Sequence, residues 1–185
     1  MRLFRLAGVI LTAFALAACK PAPLPVKEYV YPSWGFKASF QTPPAIKDEP
    51  ASADGSTPRT FLAEAHTHDY DFVVTAFDIA QAHPDLDALS DDLGSRLAKA
   101  LGAQVDGKTY VATFENLMGR EIQFSKGGLP FATMRVFVAG GRFYQVVALS
   151  NFGPSDPAVS DFLYSFHALD AHGDVTNDIA PAPAD

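Results

Sequence analysis

Residues 129–150 read Leu-Pro-Phe-Ala-Thr-Met-Arg-Val-Phe-Val-Ala-Gly-Gly-Arg-Phe-Tyr-Gln-Val-Val-Ala-Leu-Ser, and this stretch decides the fold class. Two strand-like segments, residues 129–139 and 142–150, are separated only by Gly140-Gly141. A two-residue turn between antiparallel strands requires positive φ, which glycine adopts at little cost. The stretch therefore predicts a β-hairpin inside an antiparallel sheet.

Further strand-like segments lie on the N-terminal side of this hairpin. Residues 70–79 are apolar at consecutive positions, which is typical of a central strand that is covered on both faces. Residues 47–57 are polar, contain Asp54-Gly55 and predict a loop. The remaining predicted strands are residues 35–40, 59–66, 108–114 and 120–125.

Two helices complete the predicted elements. Residues 85–101 carry leucines three or four positions apart on one stripe. Asp85 and Asp87 suit the first turn of this helix, and Gly102 suits its C-terminal cap. Residues 157–169 predict a short closing helix. This order of elements predicts an α+β fold, with an antiparallel β-sheet of about six or seven strands covered by helices.

The N-terminus has the organisation of a secretory signal peptide. Residues 1–5 are basic, and residues 6–18 form an apolar run of about 13 residues, shorter than the roughly 20 that a membrane-spanning helix needs. Leu16-Ala17-Ala18-Cys19 resembles the lipobox of bacterial lipoproteins. The resemblance implies that residues 1–18 are removed by cleavage between Ala18 and Cys19, and that a diacylglyceryl group joins the Cys19 thiol. The alternative is an ordinary signal peptide with a chance cysteine at the cleavage point.

Lipidation of Cys19 predicts where the protein lies. Two or three acyl chains such as palmitate hold a protein on a membrane essentially permanently. We therefore expect a protein of the cell envelope that faces the periplasm. Lys20 rather than aspartate follows the cysteine, and the sorting rule of such lipoproteins then favours the outer membrane over the inner membrane. Prolines alternate with other residues within residues 20–27 and favour extended polyproline II conformation, so we expect residues 19–33 to form a tether.

Composition and charge restrict the function classes. The chain has 48% hydrophobic and 19% charged residues, which is typical of a globular protein. Its formal charge is −7, and loss of residues 1–18 leaves 12 basic against 21 acidic residues, a charge of −9. Nucleic acid is not an expected partner, because nothing offsets phosphate repulsion. One cysteine excludes an internal disulfide. We expect a globular domain over residues 34–170 and a disordered tail over residues 171–185.

An ordered set of local motifs resembles a known family. Gly35-Phe36 and Pro43 open the domain, Gly119-Arg120-Glu121 enters a middle strand, and residues 162–166 close the chain after the hairpin. This set is similar to the PsbP-like and Mog-type family of α/β/α sandwiches. The resemblance implies that fold and a role in binding or assembly, because known members are accessory subunits of photosystem II or partners of a small GTPase. It supplies no ligand residues, and the photosystem role is not transferred.

His66, His68 and Glu64 form the one metal-like pattern in the sequence. In an extended segment all three side chains face the same way, and two imidazoles with a carboxylate suit Zn²⁺ with an open position for water. The alternative is a polar hairpin end on a solvated surface. No G-x-S-x-G elbow and no phosphate-binding glycine loop occurs in the sequence. We therefore predict no catalytic residues and no cofactor other than the covalent lipid.

Aromatic side chains provide candidate partner-binding residues. Trp34 precedes the first predicted strand in a proline-flanked segment, where it either fixes the tether to the sheet edge or forms a patch for a partner. Phe152, in Asn151-Phe152-Gly153-Pro154, is the second candidate. The leading hypothesis is a non-enzymatic, lipid-anchored module that binds another envelope protein. The alternatives are a metal-assisted hydrolase or a metal or small-molecule carrier that uses His66 and His68.

Overall fold

The computed structural model describes residues 25–79, 85–113, 117–170 and 172–174. The predicted signal peptide, Cys19 and nearly all of the predicted tail lie outside these residues. The helices are α1 (Leu86–Leu101) and α2 (Pro157–Ser165). The strands are β1 (Lys27–Tyr31), β2 (Phe36–Phe40), β3 (Ala45–Glu49), β4 (Thr60–His66), β5 (Tyr70–Asp78), β6 (Gln104–Ala112), β7 (Met118–Lys126), β8 (Leu129–Ala139), β9 (Arg142–Ser150) and β10 (His167–Ala168).

A seven-stranded antiparallel sheet forms the middle layer, in the order β3-β4-β5-β9-β8-β7-β6. The predicted hairpin is confirmed, because β8 and β9 pair in register from Ala139 opposite Arg142, and Gly140 and Gly141 have φ of 57° and 73°. β5 is an interior strand, third in the order, between β4 and β9. Phe72, Val74 and Ala76 face one hydrophobic core, and Val73 and Phe77 pack against the other, as the two-sided apolar pattern predicted.

α1 covers one face of this sheet over β6, β7 and β8. Its predicted caps are confirmed, since the Asp85 side chain accepts hydrogen bonds from the amides of Asp87 and Ala88, and Gly102 takes the left-handed conformation. Its leucine stripe packs on a core that includes Ile122, Phe124, Met134 and Phe143. Because α1 stops short of β3 and β4, an open cleft of about 310 Å³ remains over those strands, lined by Lys47, Glu49, Thr60, Leu62 and Thr75.

A second layer covers the other face of the large sheet. It consists of α2 and a three-stranded sheet in the order β1-β2-β10. Phe36, Phe40, Phe162 and Phe166 from this layer pack on Phe61, Phe72, Phe137 and Tyr144 of the large sheet. The chain is therefore an α+β sandwich, as predicted.

Gly119, part of the motif that resembled the PsbP-like family, has a packing role in β7. A Cβ at this position would overlap the Phe137 ring and the Val136 carbonyl oxygen. The absence of a side chain at Gly119 lets the aromatic ring lie directly on the backbone of the neighbouring strand. The glycine is therefore explained by packing.

The structure corrects three local predictions. Residues 27–31 are not part of a tether but form β1, which pairs with β2 from Lys27 opposite Phe40 to Tyr31 opposite Phe36. The folded domain thus begins before residue 34. The predicted loop at residues 47–57 begins inside β3, which pairs with β4. The closing helix ends at Ser165, and His167–Ala168 join β2 as a short strand.

No helix within the described residues is long and apolar enough to cross a membrane. Residues 172–174 lie in a turn that hydrogen-bonds to Asp170.

Candidate interaction surface

One end of the sandwich collects several loops, and we call it the Phe152 end. It contains the turn between β4 and β5, the first residues of β8 and the loop after β9. Tyr70 pairs with Ser150, and the Asn151 amide donates to the Asp69 carbonyl oxygen at 3.3 Å. Gly153, with φ +82°, lies against Pro130 at the start of β8.

The described chain also enters the domain at the Phe152 end. Lys27 at the start of β1 lies opposite Phe40 at the end of β2. The hydroxyl of Thr42, two residues further on, donates to the His66 carbonyl oxygen at 3.4 Å. Because His66 ends β4 just before the turn to β5, the described chain begins at this same end.

Large apolar side chains are exposed at the Phe152 end, among them Phe152, Leu129 and Val26. Phe152 is 61% exposed and Leu129 is 72% exposed. The Phe152 amide donates to Ser150 Oγ at 3.0 Å, and its ring centre lies 6.0 Å from that of Tyr70. The Tyr70 hydroxyl donates to Asp156 Oδ1 at 3.0 Å, and burial, with this bond as a smaller cause, raises the pKa of Tyr70 to about 12. The exposed Phe152 ring therefore lies beside a tyrosine that is itself hydrogen-bonded.

A cleft of about 110 Å³ lies beside Tyr70, and its lining also includes His68, Asp69, Asp71, Phe131 and Asn151. The Asp69 side chain makes no hydrogen bond or ion pair with the described residues. Lys126 Nζ lies 5.7 Å from the centre of the Phe131 ring. The Phe152 end thus presents apolar side chains beside carboxylates.

The structure places His66 between two carboxylates. Its Nδ1 lies 2.7 Å from Asp71 Oδ1 and its Nε2 lies 2.9 Å from Glu64 Oε1. These bonds, first to Asp71 and then to Glu64, raise the pKa of His66 above its usual value of 6.5. When the imidazole is protonated, both of its N–H groups donate to negative oxygens, so the arrangement favours an imidazolium.

The predicted trio of His66, His68 and Glu64 is only partly brought together. β4 ends at His66, so His68 lies in the following turn and is not in the extended segment that the spacing argument assumed. Asp71, across the strand pair, takes the place expected for His68. Within residues 25–79, 85–113, 117–170 and 172–174, no group of three or more histidine, cysteine, aspartate or glutamate side chains is arranged to hold a metal ion.

Trp34 is not on the surface, so the prediction that it is a partner-binding residue is wrong. It is 1% exposed and belongs to the core, whereas Tyr29 and Tyr31 pack against that core. The other interpretation of this segment was right, because these aromatics fix the entering chain to the sheet. Sequence reasoning left both options open, since burial depends on β1 pairing with β2.

Charged side chains surround Trp34 at the opposite end of the sandwich, which we call the Trp34 end. The indole Nε1 donates to Asp48 Oδ2 at 3.1 Å, and the guanidinium carbons of Arg59 and Arg142 lie 4.3 and 5.2 Å from the ring centre. Arg59 pairs with Asp48 at 2.8 Å and Arg142 pairs with Asp78 at 2.9 Å. Both arginines therefore have a carboxylate partner and an aromatic face.

Two further charged contacts were not foreseen from the sequence. Arg135, 6% exposed, donates to Glu121 Oε2 at 2.8 Å and to the Leu163 carbonyl oxygen at 3.2 Å, which joins β8 to α2. Arg120, 4% exposed, pairs with Asp87 and so joins β7 to the first turn of α1. Each arginine lies in an apolar strand pattern, but its partner is remote in sequence. Both contacts join the layers of the sandwich.

Leu129 was not predicted from the sequence as a candidate residue. It begins β8, which is buried only from residue 132 onward, and its exposure follows from its place at the Gly127-Gly128 turn. A large apolar residue directly after a glycine pair was the available signal.

The comparisons with known proteins concern the fold. No family model matches the sequence, and no curated protein matches it significantly. Among solved structures, the solution structure of cyanobacterial PsbP (CyanoP) from Synechocystis sp. PCC 6803 is similar, with a TM-score of 0.54 and 12% sequence identity. The likeness covers 80% of this chain and 95% of that one. The chain therefore has a PsbP-like fold.

Proposed function

We propose that this chain is a lipid-anchored protein of the bacterial cell envelope, and that its domain is a non-catalytic binding or assembly module for another envelope protein. The anchor is the acyl group on Cys19, after removal of residues 1–18, and it holds the domain on the periplasmic side, at the outer rather than the inner membrane. The lipobox-like Leu16–Cys19 segment supports this part of the proposal.

The exposed Phe152 ring is the observation that supports a binding role. Aromatic side chains, phenylalanine among them, are enriched in protein interfaces relative to the rest of the surface. Phe152 is held by Ser150 and Tyr70, so little conformational freedom is lost when a partner covers it. Leu129 adds a second apolar contact at the same end.

Acylation and partner capture test the proposal together. The tagged wild-type protein should incorporate a labelled fatty acid in vivo, and the Cys19→Ser variant should not. After in vivo crosslinking and affinity purification, we expect a specific envelope protein with the wild-type chain. Phe152→Asp should reduce its recovery at least about tenfold, which corresponds to about 1.4 kcal/mol of binding free energy.

Met118→Asp is the matched control, because Met118 is also an exposed apolar residue, at 40%, but lies at the start of β7 away from the Phe152 end. It should leave recovery unchanged. Equal recovery with Phe152→Asp and Met118→Asp would contradict the proposed surface, and a wild-type chain without fatty acid would contradict the anchor.

A further inference from the structure

We propose that the Phe152 surface acts at the membrane, on a membrane-embedded protein that offers an apolar contact beside a lysine or arginine side chain. This inference rests on the proposed function, because it requires the lipid on Cys19. It adds the location and the chemistry of the partner, and three observations support it.

The first observation is where the chain leaves the domain. Lys27 pairs with Phe40, and Thr42 touches His66, so the path towards Cys19 begins at the Phe152 end. The exposed apolar residues and the first described residue, Pro25, therefore lie at one end of the sandwich. The nine-residue strand β5 runs from this end to the Trp34 end, a distance of roughly 30 Å.

The second observation is the short distance that the chain can span. Six residues, 19–24, precede the first described residue, Pro25. A chain covers at most about 3.6 Å per residue, so Pro25 lies no more than about 22 Å from Cys19 whatever the conformation between them. A lipid on Cys19 therefore keeps the Phe152 end close to the bilayer surface.

The third observation is the chemistry around the apolar contact. Asp69 and Asp71 line a cleft whose wall also includes Asn151, the residue directly before Phe152. A third carboxylate, Asp156, accepts a hydrogen bond from the Tyr70 hydroxyl. Asp71 is paired with His66, whereas the Asp69 carboxylate has no partner among the described residues. Carboxylates disfavour an approach to anionic phospholipid headgroups and favour a basic side chain of a protein. The cleft of about 110 Å³ has room for one such side-chain head group.

Site-specific photo-crosslinking in living cells tests the inference. A benzophenone amino acid replaces Phe152 in the full chain, and the same amino acid at Ala53, in the exposed loop after β3, serves as the control position. The crosslinked products are sorted by whether they resist extraction with alkaline carbonate, and phospholipid adducts are identified by mass. We expect position 152, but not position 53, to yield a protein that resists extraction.

Charge reversal then tests the chemistry. Asp69→Lys should reduce the yield of that product at least fivefold, because it would oppose the basic side chain of the partner. Glu49→Lys makes the same change in charge at the far end of β3 and should leave the yield unchanged. Thermal melting of both variants confirms that the domain is folded. A flexible Gly-Ser spacer of about 40 residues after Leu24 should lower the yield several-fold, since effective concentration falls with linker length.

Three results would overturn the inference: a phospholipid adduct at position 152, a partner that carbonate extracts, or a yield that Asp69→Lys leaves unchanged. Each of these can occur with a fully acylated chain, in which case the proposed anchor stands and only the inference fails. Absence of the fatty acid, or absence of any protein product at position 152, would count against the proposed function itself.

Discussion

The aromatic side chains at the two ends of the sandwich differ in how far they are buried. At the Trp34 end the indole is 1% exposed, its N–H is bonded to Asp48, and two arginines lie on its faces. At the Phe152 end the phenyl ring is 61% exposed, although its backbone and its neighbour Tyr70 are held by hydrogen bonds. The Trp34 ring is therefore part of the hydrophobic core, whereas the Phe152 ring is exposed on a hydrogen-bonded loop and is the one that we propose for binding.

The largest expected effect contrasts Trp34→Ala with Phe152→Ala. Removing the buried indole leaves a cavity among Phe36, Phe61 and the arginine side chains, so we expect a loss of about 3–5 kcal/mol in the free energy of unfolding. Phe152→Ala should change that free energy by no more than about 0.5 kcal/mol. Urea denaturation measures both. Equal losses for the two variants would mean that Phe152 also supports the fold.

A smaller effect is expected for Tyr144→Phe, which tests how the Trp34 end holds the entering chain. The buried Tyr144 hydroxyl donates to the carbonyl oxygens of Trp34 and Gly35, at 3.0 and 3.1 Å. Its loss leaves those oxygens without this donor, so we expect about 1–2 kcal/mol of destabilisation in thermal or urea unfolding. Tyr110→Phe, at a tyrosine that is 65% exposed, is the control. No difference between the two would argue against this contact.

The smallest effect concerns His66 at the Phe152 end. Its pKa is raised in the folded protein by Asp71 and Glu64, so its contribution to stability is complete below the unfolded value of 6.5 and disappears as pH rises through the folded value. His66→Gln should therefore cost a few tenths of a kcal/mol at about pH 6, because the pairs are exposed. The cost should vanish at about pH 9. Melting curves at both pH values check this, and a cost that grows with pH would contradict the assigned sign.

The sequence predicted correctly those helices, strands and turns whose characteristic residues lie close together along the chain. The Gly140-Gly141 hairpin, the two-sided pattern of β5 and the caps of α1 depend on neighbours along the chain, and all three were confirmed. β1 and β3 were missed because they lack such signals. β1 follows a proline-rich stretch, and all five residues of β3 are exposed, so only pairing with β2 and β4 reveals them.

The candidate surface was predictable only in part. Phe152 was selected from the sequence as a possible partner contact, and the structure finds it exposed. Leu129 and the carboxylates beside the cleft come from two separate segments, and their proximity depends on the register of β5, β8 and β9. Trp34 was selected on the same grounds as Phe152. Sequence reasoning alone could not separate the two, because a side chain's exposure is set by packing between distant elements.

The pairing of β1 with β2 also determines how the domain bears mechanical load. The proposed lipid anchor would transmit tension through the chain to Lys27, the first residue of a strand that runs lengthwise from the Phe152 end to the Trp34 end. Tension along that direction would load the five residue pairs of β1 and β2 together in shear instead of opening them one after another. The strand that the sequence predicted as part of a tether would therefore resist a pulling force before that force reached the hydrophobic core.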